Sequence, residues 1–91
     1  MKIQITKPAS TDLEEIDKYI RQDNPAAAAR MVLRILEAIE YLLTYPNMGR
    51  VGRVPKTKEL VISSTPFIVV YQVRQQIIFV LRILHAARKW P

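Results

Sequence analysis

The chain has 91 residues, of which 49% are apolar, so it is large enough for one domain, residues 1–91, and too apolar for a disordered segment. It contains no cysteine, which excludes disulfide bonds, cysteine-based zinc sites and a thiol nucleophile. Residues 1–45 carry six basic and seven acidic side chains, whereas residues 46–91 carry eight basic side chains and one acidic side chain, Glu59. The formal net charge of +6 therefore lies in the C-terminal half, where we expect an anionic partner.

No targeting segment is expected at the N-terminus, because charged residues interrupt residues 1–19. The longest apolar stretch, residues 77–81, is far too short to cross a bilayer. A chain without cysteine is also compatible with a reducing compartment. We therefore expect a cytoplasmic protein that does not associate with a membrane.

A short strand followed by a helix is predicted at the N-terminus. Ile3 and Ile5 alternate with polar residues as in a strand, and Pro8 ends that pattern. Ser10 or Thr11 can serve as the N-cap of the helix. Acidic side chains then fall in its favourable first turn, where we expect them to be solvated: Asp12, Glu14, Glu15 and Asp17.

A second helix is predicted to begin at the Asn24-Pro25 pair, since Asn is a good N-cap and Pro is favoured at the first helical position. Apolar residues then recur with a helical period until Pro46. The two amphipathic helices, joined by a short turn, form a helical hairpin. A basic loop with both glycines of the chain, Gly49 and Gly52, follows it.

Three short strands are predicted after the loop, at residues 60–62, 67–73 and 77–85. Their close spacing indicates antiparallel hairpins, so the fold class is α+β, with a helical hairpin packed on a small antiparallel sheet in the order β-α-α-β-β-β. Because Arg82 should point away from the helices, alternation assigns another set of side chains to the helical face: Phe67, Val69, Tyr71, Val73, Phe79, Leu81 and Ile83.

Four segments in this order resemble the RelE/ParE superfamily of toxins from type II toxin–antitoxin modules. They are Gly52-Arg53-Val54-Pro55, Glu59-Leu60-Val61-Ile62, Tyr71-Gln72-Val73 and Ile83-Leu84-His85-Ala86-Ala87-Arg88. Their spacing looks like the ParE branch, whose members are also described as plasmid-stabilisation proteins. The resemblance extends over essentially the whole chain.

The resemblance implies a toxin that a cognate antitoxin wraps and neutralises in a hetero-oligomer. It also implies one of two targets, DNA gyrase for ParE-type toxins or mRNA on the ribosome for RelE-type ribonucleases. Ribonucleases of the superfamily carry a cluster of cations aimed at one phosphate. This chain has Glu59, Val61 and Ile68 where cations are typical, and Trp90 and Pro91 where a terminal His or Tyr is typical. These differences favour a gyrase inhibitor that uses no catalytic residue, cofactor or metal.

Two alternatives remain open from the sequence. The first is a ribosome-dependent endoribonuclease that relies on Arg82, His85 and Arg88. The second is an inactive family member that still binds an antitoxin, or a basic module that binds nucleic acid directly, although the gyrase interpretation does not require such binding.

Candidate binding residues are the cations and the single tryptophan of the C-terminal half: Arg50, Arg53, Arg74, Arg82, Arg88, Lys89 and Trp90. A solvated loop is the alternative role for the first two, and a covered sheet edge is the alternative role for Trp90. His85, the only histidine, is expected to be a packed, hydrogen-bonded residue at a strand end rather than a general base.

Overall fold

The chain forms two helices and five strands in a computed structural model, of which residues 1–88 are described. In chain order the elements are β1 (Lys2–Ile5), α1 (Lys7–Arg21), α2 (Pro25–Tyr41), β2 (Arg50–Val51), β3 (Lys58–Val61), β4 (Phe67–Arg74) and β5 (Ile77–His85). The predicted α+β class and element order are confirmed. The two-residue strand β2 is an addition within the segment that was predicted to be a loop.

The strands form one sheet in the order β1-β5-β4-β3-β2. The run from β2 to β5 is antiparallel, as predicted, whereas β1 pairs with β5 in parallel, from Lys2↔Ile77 to Ile5↔Val80. No tight turn joins β1 to β5, so their connection does not impose an antiparallel pairing. The sheet is therefore mixed rather than purely antiparallel.

Thr6 is the N-cap of α1, so the prediction of Ser10 or Thr11 is wrong. Its Oγ1 accepts a hydrogen bond from the Ala9 N–H at 3.4 Å and donates to the Val80 carbonyl at 2.8 Å. Pro8 lies in the first turn, where its missing N–H costs nothing, instead of separating the strand from the helix. The earlier start places Asp12 one turn further into the helix.

The predicted start of α2 is confirmed. The Asn24 side chain accepts a hydrogen bond from the Ala27 N–H at 3.0 Å, and Pro25 occupies the first helical position. The helix ends at Tyr41, before Pro46. Its buried face, including Ile35 and Ile39, packs in the core between the helical hairpin and the sheet.

A β-bulge in β5 is the reason why the side chains that face the helices differ from the predicted ones. Val70 pairs with Arg82 and Tyr71 pairs with Val80, so Leu81 is an extra residue in β5. Phe79 and Leu81 were wrongly assigned to the helical face, which takes Ile78, Val80 and Ile83 from β5 and Phe67, Val69, Tyr71 and Val73 from β4. A second apolar cluster contains Ile68, Val70 and Leu84, with Leu81 packed against it.

Candidate functional site

Asp12 links α1 to β5 through three hydrogen bonds. Its Oδ2 accepts from Arg82 Nε at 2.7 Å and from the Ile83 N–H at 2.9 Å, while its Oδ1 accepts from Arg82 Nη2 at 3.0 Å. Asp12 is only 6% exposed. The hydrogen bonds that Arg82 donates to this carboxylate raise the pKa of Arg82, so the guanidinium stays charged.

Two predictions about these residues are wrong. Asp12 was expected to be solvated, and Arg82 was expected to point away from the helices toward a partner. The bulge at Leu81 changes the strand geometry next to Arg82, and the earlier start of α1 brings Asp12 to β5. Arg82 therefore has a structural ion pair within the chain.

Glu59 of β3 organises the basic loop. Its carboxylate is 1% exposed and accepts hydrogen bonds from Arg50 Nη2 at 3.2 Å and from the Arg53 N–H at 3.0 Å. Arg53 Nε lies 3.4 Å from Oε2 of the same carboxylate. Burial by itself would raise the pKa of Glu59, but the Arg53 N–H and the Arg50 side chain outweigh burial and hold the pKa below its ordinary value.

The Glu59 carboxylate brings two of the predicted binding residues together. Arg50 and Arg53 share one buried anion, while their guanidinium groups stay about half exposed. Two cations with one internal anion leave a net positive charge that can bind carboxylates or phosphates. Residue patterns did not identify Glu59 as the organiser, although it is the only acidic residue in the basic half.

Tyr71 holds the chain between α2 and β2 in place. Its buried hydroxyl donates to the Pro46 carbonyl at 2.8 Å and accepts from the Gly49 N–H at 2.9 Å. Burial raises the pKa of Tyr71, so the phenol stays protonated and can donate. A Cβ atom on Gly49 would lie 2.7 Å from the Tyr71 ring, so the close approach requires glycine there.

The end of β5 carries the remaining candidates. His85 is exposed rather than packed, which contradicts its predicted burial, although it is hydrogen-bonded: its Nδ1 accepts from the Ala87 N–H at 3.1 Å. Its ring meets the Phe67 ring edge-on, with 5.9 Å between centroids. His85 and Arg88 line one cavity of about 270 Å³ together with Asp12 and Glu15.

Three predicted binding residues remain: Arg74, Lys89 and Trp90. Arg74 lies at the opposite end of the β4–β5 hairpin, with its guanidinium 4.8 Å from the centre of the Phe79 ring. Lys89 and Trp90 lie outside the described residues. Within residues 1–88, no group of acidic or histidine side chains could hold a metal ion, and no helix is long and apolar enough to cross a membrane.

The fold and the amino-acid sequence of this chain are similar to those of known toxins. Residues 3–90 match the family model described as the ParE toxin of the type II toxin–antitoxin system parDE. A solved structure of the chromosomal ParDE toxin–antitoxin system from P. aeruginosa superposes with a TM-score of 0.86 at 27% identity, covering 93% of this chain and 95% of that chain. The chain is thus a toxin of a type II toxin–antitoxin system. It belongs to the ParE toxin family.

Two relatives agree with this assignment. The Sinorhizobium fredii protein named "Putative toxin Y4kP" is 41% identical over 90 residues, which are 99% of this chain and 93% of that protein. Toxin RelE2 of Caulobacter vibrioides is 40% identical over 80 residues, which are 88% of this chain and 89% of that protein. Toxins of such systems pair with an antitoxin, as in ParDE.

Proposed function

We propose that this chain inhibits DNA gyrase by binding to it, without catalysing a reaction, and that its cognate antitoxin neutralises it in a cytoplasmic hetero-oligomer. Growth inhibition and plasmid stabilisation are the biological roles that correspond to this activity. The family match over residues 3–90 supports the proposal, because ParE-type toxins are the branch for which gyrase is the expected target.

The observation that carries the proposal is how the basic residues are used. Cleavage of RNA at a phosphate needs several cations and a proton-transfer group aimed at one point. Here Arg82 is bonded at both Nε and Nη2 to Asp12, while Arg50 and Arg53 share Glu59. Ile68 is buried, and by resemblance it stands where an arginine is typical of the ribonucleases. These cations are arranged around carboxylates of the chain rather than around a common phosphate site.

Binding by the toxin is assigned to the exposed cations. Arg50 of β2 and Arg53 of the following loop form one positive patch, and Arg88 lies three residues beyond the end of β5. Arg74 is a further exposed cation, and Lys89 and Trp90 remain candidates by sequence. Arg82 contributes indirectly, because its ion pair with Asp12 fixes the end of β5 from which Arg88 follows.

Purified gyrase tests the proposal. Increasing amounts of this chain should inhibit supercoiling and trap cleaved DNA, and addition of the antitoxin should restore supercoiling. A charge-neutral pair, Arg50→Gln with Arg53→Gln, keeps side-chain donors beside the buried Glu59 and should weaken inhibition if this positive patch binds gyrase. A chain that binds its antitoxin but leaves gyrase active at micromolar concentration would contradict the gyrase assignment and support an inactive antitoxin-binding member.

One observation favours a second candidate, a ribosome-dependent endoribonuclease. His85 and Arg88 line the same cavity as Glu15, so a general acid or base, a cation and a carboxylate are near one another. In this alternative, Arg82, His85 and Arg88 would act on the RNA phosphate. Cleavage of mRNA on purified ribosomes, lost in His85→Ala, would establish it.

A further inference from the structure

We propose that a basic patch, formed by Arg50, Arg53 and Lys56, binds the phosphate backbone of the DNA that gyrase holds. The inference rests on the proposed inhibition of gyrase, since it names the component of the gyrase–DNA complex that this surface contacts. The patch spans β2 and the loop that leads to β3. Glu59 alternates along β3 with Leu60, which packs in the core, so the Glu59 carboxylate and the arginines bound to it lie on the sheet face away from the helices.

The two arginines of the patch are held by one buried carboxylate and keep donors for a second anion. Arg50 Nη2 and Arg53 Nε lie 3.2 and 3.4 Å from the two carboxylate oxygens of Glu59. Within residues 1–88, the other side-chain N–H groups of these arginines make no hydrogen bond or ion pair. Because Glu59 already fixes both guanidinium groups, an incoming anion loses little affinity to their ordering and can accept several charged hydrogen bonds at once.

Lys56 adds an exposed cation from a strained position in the same loop. The Thr57 N–H donates to the Val54 carbonyl at 3.2 Å, so Pro55 and the following lysine are the central residues of a turn. Lys56 has a φ of 69°, a region in which glycine or asparagine is favoured over lysine. Its carbonyl accepts from Gln72 Nε2 at 3.2 Å, which joins the turn to β4. A strained backbone that carries an exposed cation supports a functional role for that cation.

Gly52 allows the loop to fold back on itself. Its N–H donates to the Thr57 carbonyl at 2.8 Å, and the Thr57 Oγ1 donates to the Val54 carbonyl at 2.6 Å. A Cβ atom at position 52 would clash with Thr57 Oγ1, so the close approach requires glycine. Closure of the loop places Arg53 and Lys56 in one compact turn beside β2, where both can contact the same polyanion.

The charge and polarity of the patch favour a phosphate backbone over an acidic protein surface. Glu59 is the only acidic residue among residues 46–91, so the three cations outweigh it. The apolar side chains within the patch stand out into solvent, since Val51 is 86% exposed and Pro55 is exposed. Protein interfaces depend on apolar anchors that fill pockets, whereas cations alone bind a nucleic-acid backbone. Contacts to phosphates carry no sequence information, so we expect the patch to bind DNA of any sequence.

The salt dependence of DNA binding tests the site. Fluorescence anisotropy measures the affinity of the full-length toxin for a labelled DNA duplex, without gyrase, over a series of salt concentrations. Each lost phosphate contact reduces the slope of log affinity against log salt concentration by about 0.9. We therefore expect Lys56→Gln to reduce the slope by about 1, and Arg50→Gln with Arg53→Gln to reduce it by about 2. The Lys56 side chain is not among the groups that hold Glu59, so Lys56→Gln tests the site even if the double variant does not fold.

The matched control changes two cations of the helices. Lys18→Gln with Arg30→Gln lowers the net charge by the same amount as the double variant of the patch, at exposed positions of α1 and α2. The slope for this control should equal that for wild type. An equal loss of slope in the control and in the patch variant would show that net charge alone matters, and it would overturn the inference.

Gyrase and RNA provide two further comparisons. Folded patch variants that bind DNA like wild type but inhibit gyrase less would assign the patch to a protein surface of gyrase and overturn the inference. An RNA duplex of the same sequence that binds more tightly than the DNA duplex would also overturn it, because the patch would then be assigned to RNA. Since DNA affinity is measured without gyrase, failure of the gyrase assignment leaves this test intact.

Discussion

Where β1 ends, the Asp12 side chain bonds the edge of β5 in place of a neighbouring strand. Strand β1 pairs with β5 as far as Ile5↔Val80, and the Thr6 N–H still bonds the Val80 carbonyl at 3.0 Å. Beyond that point the Ile83 N–H would face an empty edge, but it donates to the Asp12 carboxylate. A buried carboxylate thus satisfies one backbone donor and one guanidinium where the sheet has no further strand.

Removal of this carboxylate should destabilise the fold strongly. We expect Asp12→Ala to lower the free energy of unfolding by about 3 kcal/mol, because it removes the carboxylate that accepts from the buried Ile83 N–H and pairs with the partly buried Arg82. Urea unfolding measures the change. Asp17→Ala is the control, since Asp17 pairs with Arg21 on the exposed face of the same helix and should change stability little. Equal effects of the two changes would contradict the structural role of Asp12.

The Glu59 carboxylate makes the free energy of unfolding depend on pH. Because its pKa is lowered in the folded chain, the stabilisation is complete above the ordinary value of 4.5 and is lost as the pH falls through the folded pKa. We expect Glu59→Gln to flatten the dependence of unfolding free energy on pH below about 5. Unfolding in urea at a series of pH values measures this slope. Parallel slopes for wild type and Glu59→Gln would show that the carboxylate is not charged differently in the folded and unfolded states.

At the scale of elements, the β4–β5 hairpin carries backbone strain in its turn. Gln75 and Gln76 both have positive φ, 52° and 63°, as a two-residue type I′ turn requires. Glutamine is poorly suited to that region, whereas asparagine and glycine adopt it readily. The hairpin is nevertheless formed, so packing of the two long strands outweighs the cost of the turn.

Relief of that strain should stabilise the protein. We expect the double change Gln75→Asn with Gln76→Gly to raise the free energy of unfolding by about 1 kcal/mol. Thermal unfolding detects such a change. Gln22→Gly at the end of α1 is the control. Gln22 has a φ of −58°, so glycine relieves no backbone strain there and loses more conformational entropy on folding than glutamine does. A lower melting temperature for the turn variant would contradict this reading of the turn.

The sequence pattern predicts most of the helices and strands. It does not predict which side chains of β5 face the helices. Capping by Asn24 and the turn before Ile77 are local signals, so α2 and β5 begin where the pattern predicts. Residues 77–84 are apolar apart from Arg82, so Arg82 alone sets the predicted phase of β5. Its partner Asp12 is 70 residues away in sequence, and no local pattern indicates that distant carboxylate or the bulge it accompanies.

In the whole molecule, the basic residues of the C-terminal half fall into two groups. Some are balanced within the chain, by Asp12 at one end of the sheet and by Glu59 at the other. The remaining exposed cations, among them Lys56 and Arg88, give the surface its net charge. Net charge steers association with anionic partners, so binding by these exposed cations is the role that we propose for them.

The candidate site could be predicted only in part. The family resemblance identified the toxin class. The concentration of cations predicts that the C-terminal half binds a partner, and this remains a prediction. Neither showed that Arg82 is bound to Asp12, or that Tyr71 holds the chain between α2 and β2 in place, because both depend on contacts between distant parts of the chain.

We propose that this toxin acts by binding gyrase and not by turnover. A titration of one toxin preparation against a fixed amount of gyrase and, in parallel, against ribosomes carrying mRNA distinguishes the two modes of action. We predict that supercoiling is lost as toxin approaches the concentration of gyrase, that cleaved DNA accumulates, and that the mRNA stays intact. Active gyrase at excess toxin, together with mRNA cleaved by toxin at a small fraction of the ribosome concentration, would contradict the account.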